Sequence, residues 1–187
     1  ILCQGLLKSA RFEWIFEKGT ELGVSVFSPI LCHRSTAGLE DARPNKIQRW
    51  QRIIQEAAEQ SGRSHLPELL PIRPLTHALN DIPSNALAIM PWEEEHILTL
   101  HDVLSTSIRP TGDVGATLAV ARSSQTPTPH PPTTVVLFIG PEGGLTTEEV
   151  ALAQRNGVRV VTLGARILRA ETATLATIAN VMYEMEQ

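Results

Sequence analysis

Residues 133–140, TTVVLFIG, form an unbroken apolar run of strand length that stops at a glycine and a proline. A run apolar on both faces belongs at the centre of a parallel sheet, with helices covering each side. The next residues keep to that plan. PEGG turns the chain, and a helix is predicted from Thr147 to about Asn156, with Thr146 or Thr147 as cap and Glu149 in its first turn. Gly157 stops it, VRVVTLG (158–164) is the next strand, and ARILRAETAT leads into a last helix ending near Tyr183–Met185. Strand, helix, strand and helix at this spacing predict an α/β fold with an open, mostly parallel sheet flanked by helices.

The earlier part of the chain supplies further elements. Phe12, Ile15, Phe16, Gly19 and Leu22 recur at helical spacing and predict a helix over 11–22. VSVFSPILC (24–32) reads as a strand in which Pro29 marks a bulge or an edge. A helix over 45–61 turns Ile47, Trp50, Ile54, Ala57 and Ser61 inward, and Arg49, Arg52, Glu56, Gln60 and Arg63 outward. A helical turn is expected near 75–79, a strand at ALAIM (86–90) and a helix over roughly 94–105. Residues 109–122 read as a loop and then a strand, and the threonine and proline of 125–134 as a surface loop. On the last helix, Leu175, Ile178, Met182 and Met185 form a core stripe. Ala173, Ala176, Thr177 and Asn180 lie opposite, either as more core or as a subunit interface.

Several function classes drop out. Two cysteines, Cys3 and Cys32, make neither a disulfide scaffold nor a CxxC pair, so a reducing, cytoplasmic setting is expected. No apolar run reaches membrane-spanning length, no basic-then-apolar leader opens the chain, and no membrane partner is expected. His96 and His101 are not at metal-ligand spacing, and no metal site is predicted. There is no GxGxxG, no phosphate-binding GKS or GKT and no GxSxG elbow, which removes the usual dinucleotide, nucleotide-hydrolase and serine-hydrolase signatures. The net charge of −4 is uneven: residues 1–75 hold ten Lys and Arg against eight Asp and Glu, residues 76–187 six against twelve. An acidic average leaves room for a local basic face.

In an open parallel sheet, ligands bind beyond the carboxyl ends of the strands. Three segments would place glycine or proline turns there: IMPWEE, FIGPEGG and TLGARILR. In the second, Gly140, Gly143 and Gly144 bare the backbone amides while Pro141 stiffens the turn. Glu142 within it favours a cationic or hydroxyl-rich ligand over phosphate. The plain alternative is a tight strand-to-helix turn. Arg166, Arg169 and Glu171 crowd beside Gly164, either as a solvated ion pair or as part of the same site.

Four stretches together carry a resemblance: EKGTELGVSVFSPILCHRS (17–35), KIQRWQRIIQEAAEQSGR (46–63), FIGPEGGLTTEE (138–149) and TLGARILRAETA (162–173). In this order they resemble the RsmE-type 16S ribosomal RNA uridine-N3 methyltransferases of the SPOUT superfamily. The resemblance implies that residues 1–187 are one SPOUT methyltransferase domain. It further implies a deep C-terminal trefoil knot, S-adenosylmethionine held in the knot, and a homodimer acting on 16S rRNA in a small-subunit particle. Family members usually begin with a small barrel-like RNA-binding domain, which this chain does not supply. Gly19 stands where the family usually has alanine.

By position in those motifs, Ile139, Gly140, Gly144, Leu163, Gly164, Ile167 and Leu168 resemble the cofactor-loop residues, with Thr172 and Glu142 beside them. Arg34, Arg63 and Arg169 resemble the family's basic residues facing RNA or the target base, and Arg49 and Arg52 share Arg63's helix face. For methyl transfer to a uracil ring nitrogen, a cation near a ring oxygen eases loss of the proton between the two carbonyls. Arg169 is the candidate for that role, and Glu171, Glu142 or solvent for accepting the proton. Transfer to another RNA position, and a non-catalytic RNA-binding or ribosome-associated module, are the alternatives.

Overall fold

The computed structural model describes residues 1–35, 44–108 and 134–186, with Ser9 described through its backbone alone. The segments 36–43 and 109–133 lie outside it, and with them the strand expected within 109–122 and the loop expected over 125–134 up to residue 133. In chain order the elements are β1 (Leu2–Gly5), α1 (Ser9–Glu21), β2 (Val26–Leu31), α2 (Pro44–Gln60), β3 (Glu68–Leu69), β4 (Arg73–Pro74) and α3 (Leu75–Asn80). After these come β5 (Ala86–Pro91), α4 (Leu100–Ser107), β6 (Thr134–Ile139), α5 (Thr147–Arg155), β7 (Arg159–Val161) and α6 (Ala170–Met185).

The seven strands form one sheet in the order β3-β2-β1-β6-β5-β7, with β4 also paired to β2, and each of these pairings is parallel. The run at 133–140 is indeed central: β6 lies between β1 and β5. Its side chains alternate between two cores. Val135, Leu137 and Ile139 join Leu2, Phe27 and Ile89 beneath α1, α2, α4 and α6. Val136 and Phe138 join Cys3, Ile30 and Met90 beneath α3 and α5. Helices therefore cover both faces, as a strand with no polar side demands.

Pro29 marks neither a bulge nor the sheet edge. It pairs with Gln4 of β1, and on the other side β2 meets two short strands in succession, β3 at Val26–Phe27 and β4 at Ile30–Leu31. The proline, which has no N–H to donate, sits at the break between them. The predicted helix over 94–105 begins later, at Leu100. Glu95 Oε1 accepts from the backbone amides of His96, Ile97 and Leu98, closing a loop instead. Thr99 and Asp102 then form a reciprocal capping box that starts α4.

The aromatic centre under α1 and α2 follows the expected spacing. Trp50 is buried against Phe12 and Phe16 at ring-centroid distances of 5.0 and 5.2 Å. Phe16 in turn meets Phe27 edge-on at 5.1 Å. Gly19 belongs to this packing: an added Cβ would lie 2.9 Å from the Phe27 ring, so the alanine usual in the family would require that ring to move.

Arg63 lies just past the end of α2 and is turned into the fold. Its Nη1 donates to the carbonyls of Thr20 (2.9 Å) and Val24 (2.7 Å) at the C-terminal end of α1. A cation there complements the helix dipole, adding a donor to the Thr20 carbonyl that also accepts from Gly23 N and reaching the Val24 carbonyl just past the helix. Burial holds the guanidinium somewhat below its ordinary range. Arg63→Ala is therefore expected to destabilise the chain by about 2 kcal/mol, read by urea unfolding, because two charged hydrogen bonds are lost at a part-buried site.

On the final helix the expected core stripe holds at Ile178, with Leu175 and Met182 packed against the core, and fails at Met185. Thr174, Thr177, Ile178 and Val181 point into the core, while Tyr183 and Met185 are exposed. Thr174 and Thr177 enter an apolar interior because their hydroxyls return to the carbonyls of Ala170 (2.8 Å) and Ala173 (2.7 Å). Asn180 lies exposed on the outer side, with Ala173 and Ala176 half-buried.

Candidate functional site

The turns at the carboxyl ends of β5, β6 and β7 close on one cavity of about 580 Å³. Its walls are residues 139–145 after β6, residues 162–170 after β7, and Pro91, Trp92, Glu93 and His96 after β5, with Ala173 of α6 at the back. The volume suits a ligand of cofactor size. Short hydrogen bonds tie the β5 and β7 ends together: Trp92 N donates to Val161 O at 3.0 Å, and Thr162 N to Leu98 O at 2.8 Å.

The glycine turn is held by hydrogen bonds from both sides. Gly144 (φ +74°) donates to Pro141 O at 2.9 Å, and α5 starts with a capping box of Thr146 and Glu149. Glu149 also accepts from His33 N at 2.7 Å, and Arg34 Nη1 donates to the carbonyls of Gly143 (3.2 Å) and Leu145 (3.3 Å). The chain leaving β2 is thus latched to the outer side of the turn. On the opposite wall Gly164 has φ +108°, a conformation that disfavours any side chain. Nothing lies within 4 Å of where its Cβ would be.

Of the residues singled out in the sequence, Ile139, Gly140, Glu142, Gly144, Leu163, Gly164, Ile167, Leu168 and Arg169 all line the cavity. Glu171 and Thr172 come next, on the first turn of α6, and are not among its walls. Ile167 is 86% exposed, an apolar side chain in water at the cavity mouth. Arg49 and Arg52 lie exposed on α2, paired with Glu13 and Glu56 at 2.8 and 2.7 Å. The structure therefore gathers the glycine and arginine segments in one place and leaves the α2 arginines on a separate helix surface.

The electrostatics of the rim are set by a residue that sequence reasoning passed over. Arg11 of α1 reaches Glu142 Oε1 at 2.7 Å, and its Nε lies 3.5 Å from Glu171 Oε1. One cation thus joins the glycine turn to the start of α6. Glu171 Oε2 stays buried with no hydrogen-bond partner among the described residues. The Arg169–Glu171 pair considered from the sequence does not form, since Glu171 turns to Arg11. Arg169 is exposed at the N-cap of α6, and its side chain makes no hydrogen bond or ion pair among the described residues. Glu95 is held below the usual carboxylate range by the three amides it accepts from. Both cysteine thiols are buried and pushed up by that burial, which makes them poor nucleophiles. No group of residues able to hold a metal ion occurs among the described residues.

Fold and cavity define an α/β protein whose ligand cleft is built by strand-end turns of a parallel sheet. The RNA methyltransferase domain family matches residues 1–182. The chain belongs to that family, in its RsmE-type branch. It is 34% identical over 187 residues to the ribosomal RNA small subunit methyltransferase E of Bacillus subtilis, covering 99% of this chain and 66% of that protein. The enzyme of the same name from Neisseria gonorrhoeae, solved bound to S-adenosyl methionine, superposes with a TM-score of 0.77 at 31% identity. That match covers 97% of this chain and 64% of the other. A methyltransferase from Legionella pneumophila, solved in complex with SAM, superposes with a TM-score of 0.72 at 25% identity, over 97% of this chain and 64% of its own. The chain thus spans just under two thirds of the length of these relatives.

Proposed function

We propose that this chain is the catalytic domain of a homodimeric, cytoplasmic S-adenosylmethionine-dependent enzyme that methylates N3 of a uridine in 16S rRNA within a small-subunit particle. The observation that carries the reading is the convergence of three strand-end turns on one cavity, with an arginine at its rim that has no ion pair among the described residues. The lining suits the cofactor. Gly164 leaves a cradle that a side chain would fill, and Ile139, Leu163 and Leu168 offer apolar walls to a purine. Glu93 and Glu142 bring negative charge toward a cationic sulfonium. Relatives solved with S-adenosylmethionine add weight to that choice.

S-adenosylmethionine supplies a methyl group already activated for transfer, so the chain's own work is alignment and charge stabilisation. Arg169, exposed at the cavity rim, is our candidate to stabilise the negative charge that a uracil carbonyl oxygen gains as the ring proton leaves. Of the two carboxylates considered, each gives one oxygen to Arg11, Glu142 Oε1 at 2.7 Å and Glu171 Oε1 at 3.5 Å. Of the two, Glu142 lines the cavity and Glu171 does not, so Glu142 is the better placed candidate for the proton, with Glu171 and solvent as its competitors. Arg34, beside the glycine turn, and Arg49 and Arg52 on α2 offer contacts to RNA phosphates. Thr172, exposed on α6's first turn, is read with the cofactor residues.

We read the path from β6 to α6 as the superfamily's trefoil knot. In support, the segment after β7 leaves the sheet edge, passes the β5 and β6 turns, and returns to α6 against α1 and β6. The dimer reading draws on α6, whose outer side carries half-buried Ala173 and Ala176 with exposed Asn180 and Tyr183. Ala176→Arg is expected to convert a sedimenting dimer into monomer by placing a charge in the interface. Calorimetric titration with S-adenosylmethionine, followed by mapping of the methyl group on a small-subunit particle, tests the whole. Binding with methylation at uridine N3 is the expected result. Binding with a methyl elsewhere moves the enzyme to another RNA position, and no binding leaves a non-catalytic RNA-binding module.

A further inference from the structure

Gln4 is a buried polar side chain in the middle of the sheet, on the strand next to β6 and in register with Ile139, the last residue of β6. Its Nε2 donates to Gly5 O at 3.1 Å and to Gly140 O at 3.3 Å. Its Oε1 accepts from Thr174 Oγ1 at 2.6 Å. The amide orientation follows from the partners. Two carbonyls require the NH₂ end, which leaves the oxygen for the threonine hydroxyl. Thr174 is fully buried, and the same hydroxyl lies 2.8 Å from Ala170 O, so its one proton serves either acceptor. Gly140 and Ala170 both line the cavity, on opposite walls. Through Thr174, one side chain thus reaches both sides of the cleft.

The packing around it leaves the glycine turn little freedom toward β1. A Cβ on Gly5 would lie 2.5 Å from Pro141 N and 2.8 Å from Gly140 C, so the turn rests directly on the β1 backbone. The peptide between Gly140 and Pro141 is thus packed against Gly5, and the Gln4 amide holds its carbonyl. An amide buried in an apolar sheet costs stability unless fully bonded, whereas an apolar side chain of that length carries no such cost. Its value lies in fixing a geometry.

We propose that Gln4, coupled to Thr174, is a positioning residue that sets the Gly140 carbonyl and the spacing of the two cleft walls for cofactor binding. This rests on reading the cleft as the S-adenosylmethionine site. The test is calorimetric titration of the full chain with S-adenosylmethionine for wild type, Gln4→Met, Thr174→Val, Thr174→Ser and the double variant Gln4→Met/Thr174→Val. Thermal unfolding of each is measured alongside. Gln4→Met and Thr174→Val are expected to weaken binding about tenfold at temperatures where they are folded, while Thr174→Ser stays within about twofold. The double variant should lose no more than Gln4→Met alone, because the two belong to one network. Thr174→Val carries the test if Gln4→Met does not fold. Lower unfolding temperatures with wild-type affinity in the folded variants overturn the positioning role and leave the cofactor reading intact. Failure of the wild-type chain to bind overturns the cofactor reading, and the positioning role with it.

Discussion

Arg169→Ala is expected to lower the methylation rate at saturating cofactor by roughly 10²-fold, about 2.7 kcal/mol in activation free energy, with little change in cofactor affinity or unfolding temperature. The magnitude is that of removing one fixed charge from a site where charge develops only in the transition state. The expected stability result comes from the structure. Arg169 caps α6 without a side-chain hydrogen bond, and a cation gains nothing from the positive end of a helix dipole. Among the described residues its side chain therefore holds nothing in place that its loss would release. If the arginine instead served to hold the loop, the variant would lose cofactor affinity and thermal stability together, and excess cofactor would restore the rate. Single-turnover methylation of a small-subunit particle at saturating S-adenosylmethionine separates the two, and a near-wild-type rate removes Arg169 from the reaction.

The second large effect is expected at Gly164. Valine there should abolish measurable cofactor binding while the chain stays folded. At φ +108° a β-branched residue is strained, so either the 162–170 segment relaxes to another path or the isopropyl group stands in the space the glycine leaves open. Gly157 provides the control. It too has positive φ, +80°, with nothing within 4 Å of its Cβ position, yet it comes after α5 and does not line the cavity. Gly157→Val thus carries a comparable backbone penalty, on the order of 1–3 kcal/mol, without touching the ligand. Calorimetry should show binding lost in Gly164→Val and kept in Gly157→Val. Loss in both would mean that the effect is global destabilisation rather than an altered cleft.

The glycine and proline turns are legible in the sequence because turn chemistry is local. Gly140, Pro141, Gly144 and Gly164 declare backbone conformations that do not depend on what packs around them, and strand polarity then sends all three turns to one end of the sheet. Side chains whose role depends on distant partners are not legible. β1 gives no signal because it is four residues long and carries Gln4, whose bonds to Gly140 and Thr174 exist only in the folded chain. Arg63 shares its spacing with Arg49 and Arg52, yet the turn after α2 swings it onto α1. Thr174 and Thr177 look polar in a helix whose own carbonyls satisfy them, so hydropathy finds Leu175, Ile178 and Met182 but misses Thr174 and runs the stripe on to the exposed Met185. Arg11 has no motif at all; its meaning is the pair of carboxylates it finds across the fold.

The parallel seam between β1 and β6 has a consequence for biosynthesis. Leu2 lies opposite Leu137 and Cys3 opposite Phe138, so a strand made at the start of this domain waits for a partner made near its end. Contacts of such high order close slowly and only after most of the domain has left the ribosome. During that interval β1 can pair with β2 alone, and its other edge, with Leu2 and Cys3 uncovered, is open to any passing strand. The cleft is in this sense among the last things the chain makes, since residues 139–145 have nothing to lean on until β6 has slotted in beside β1.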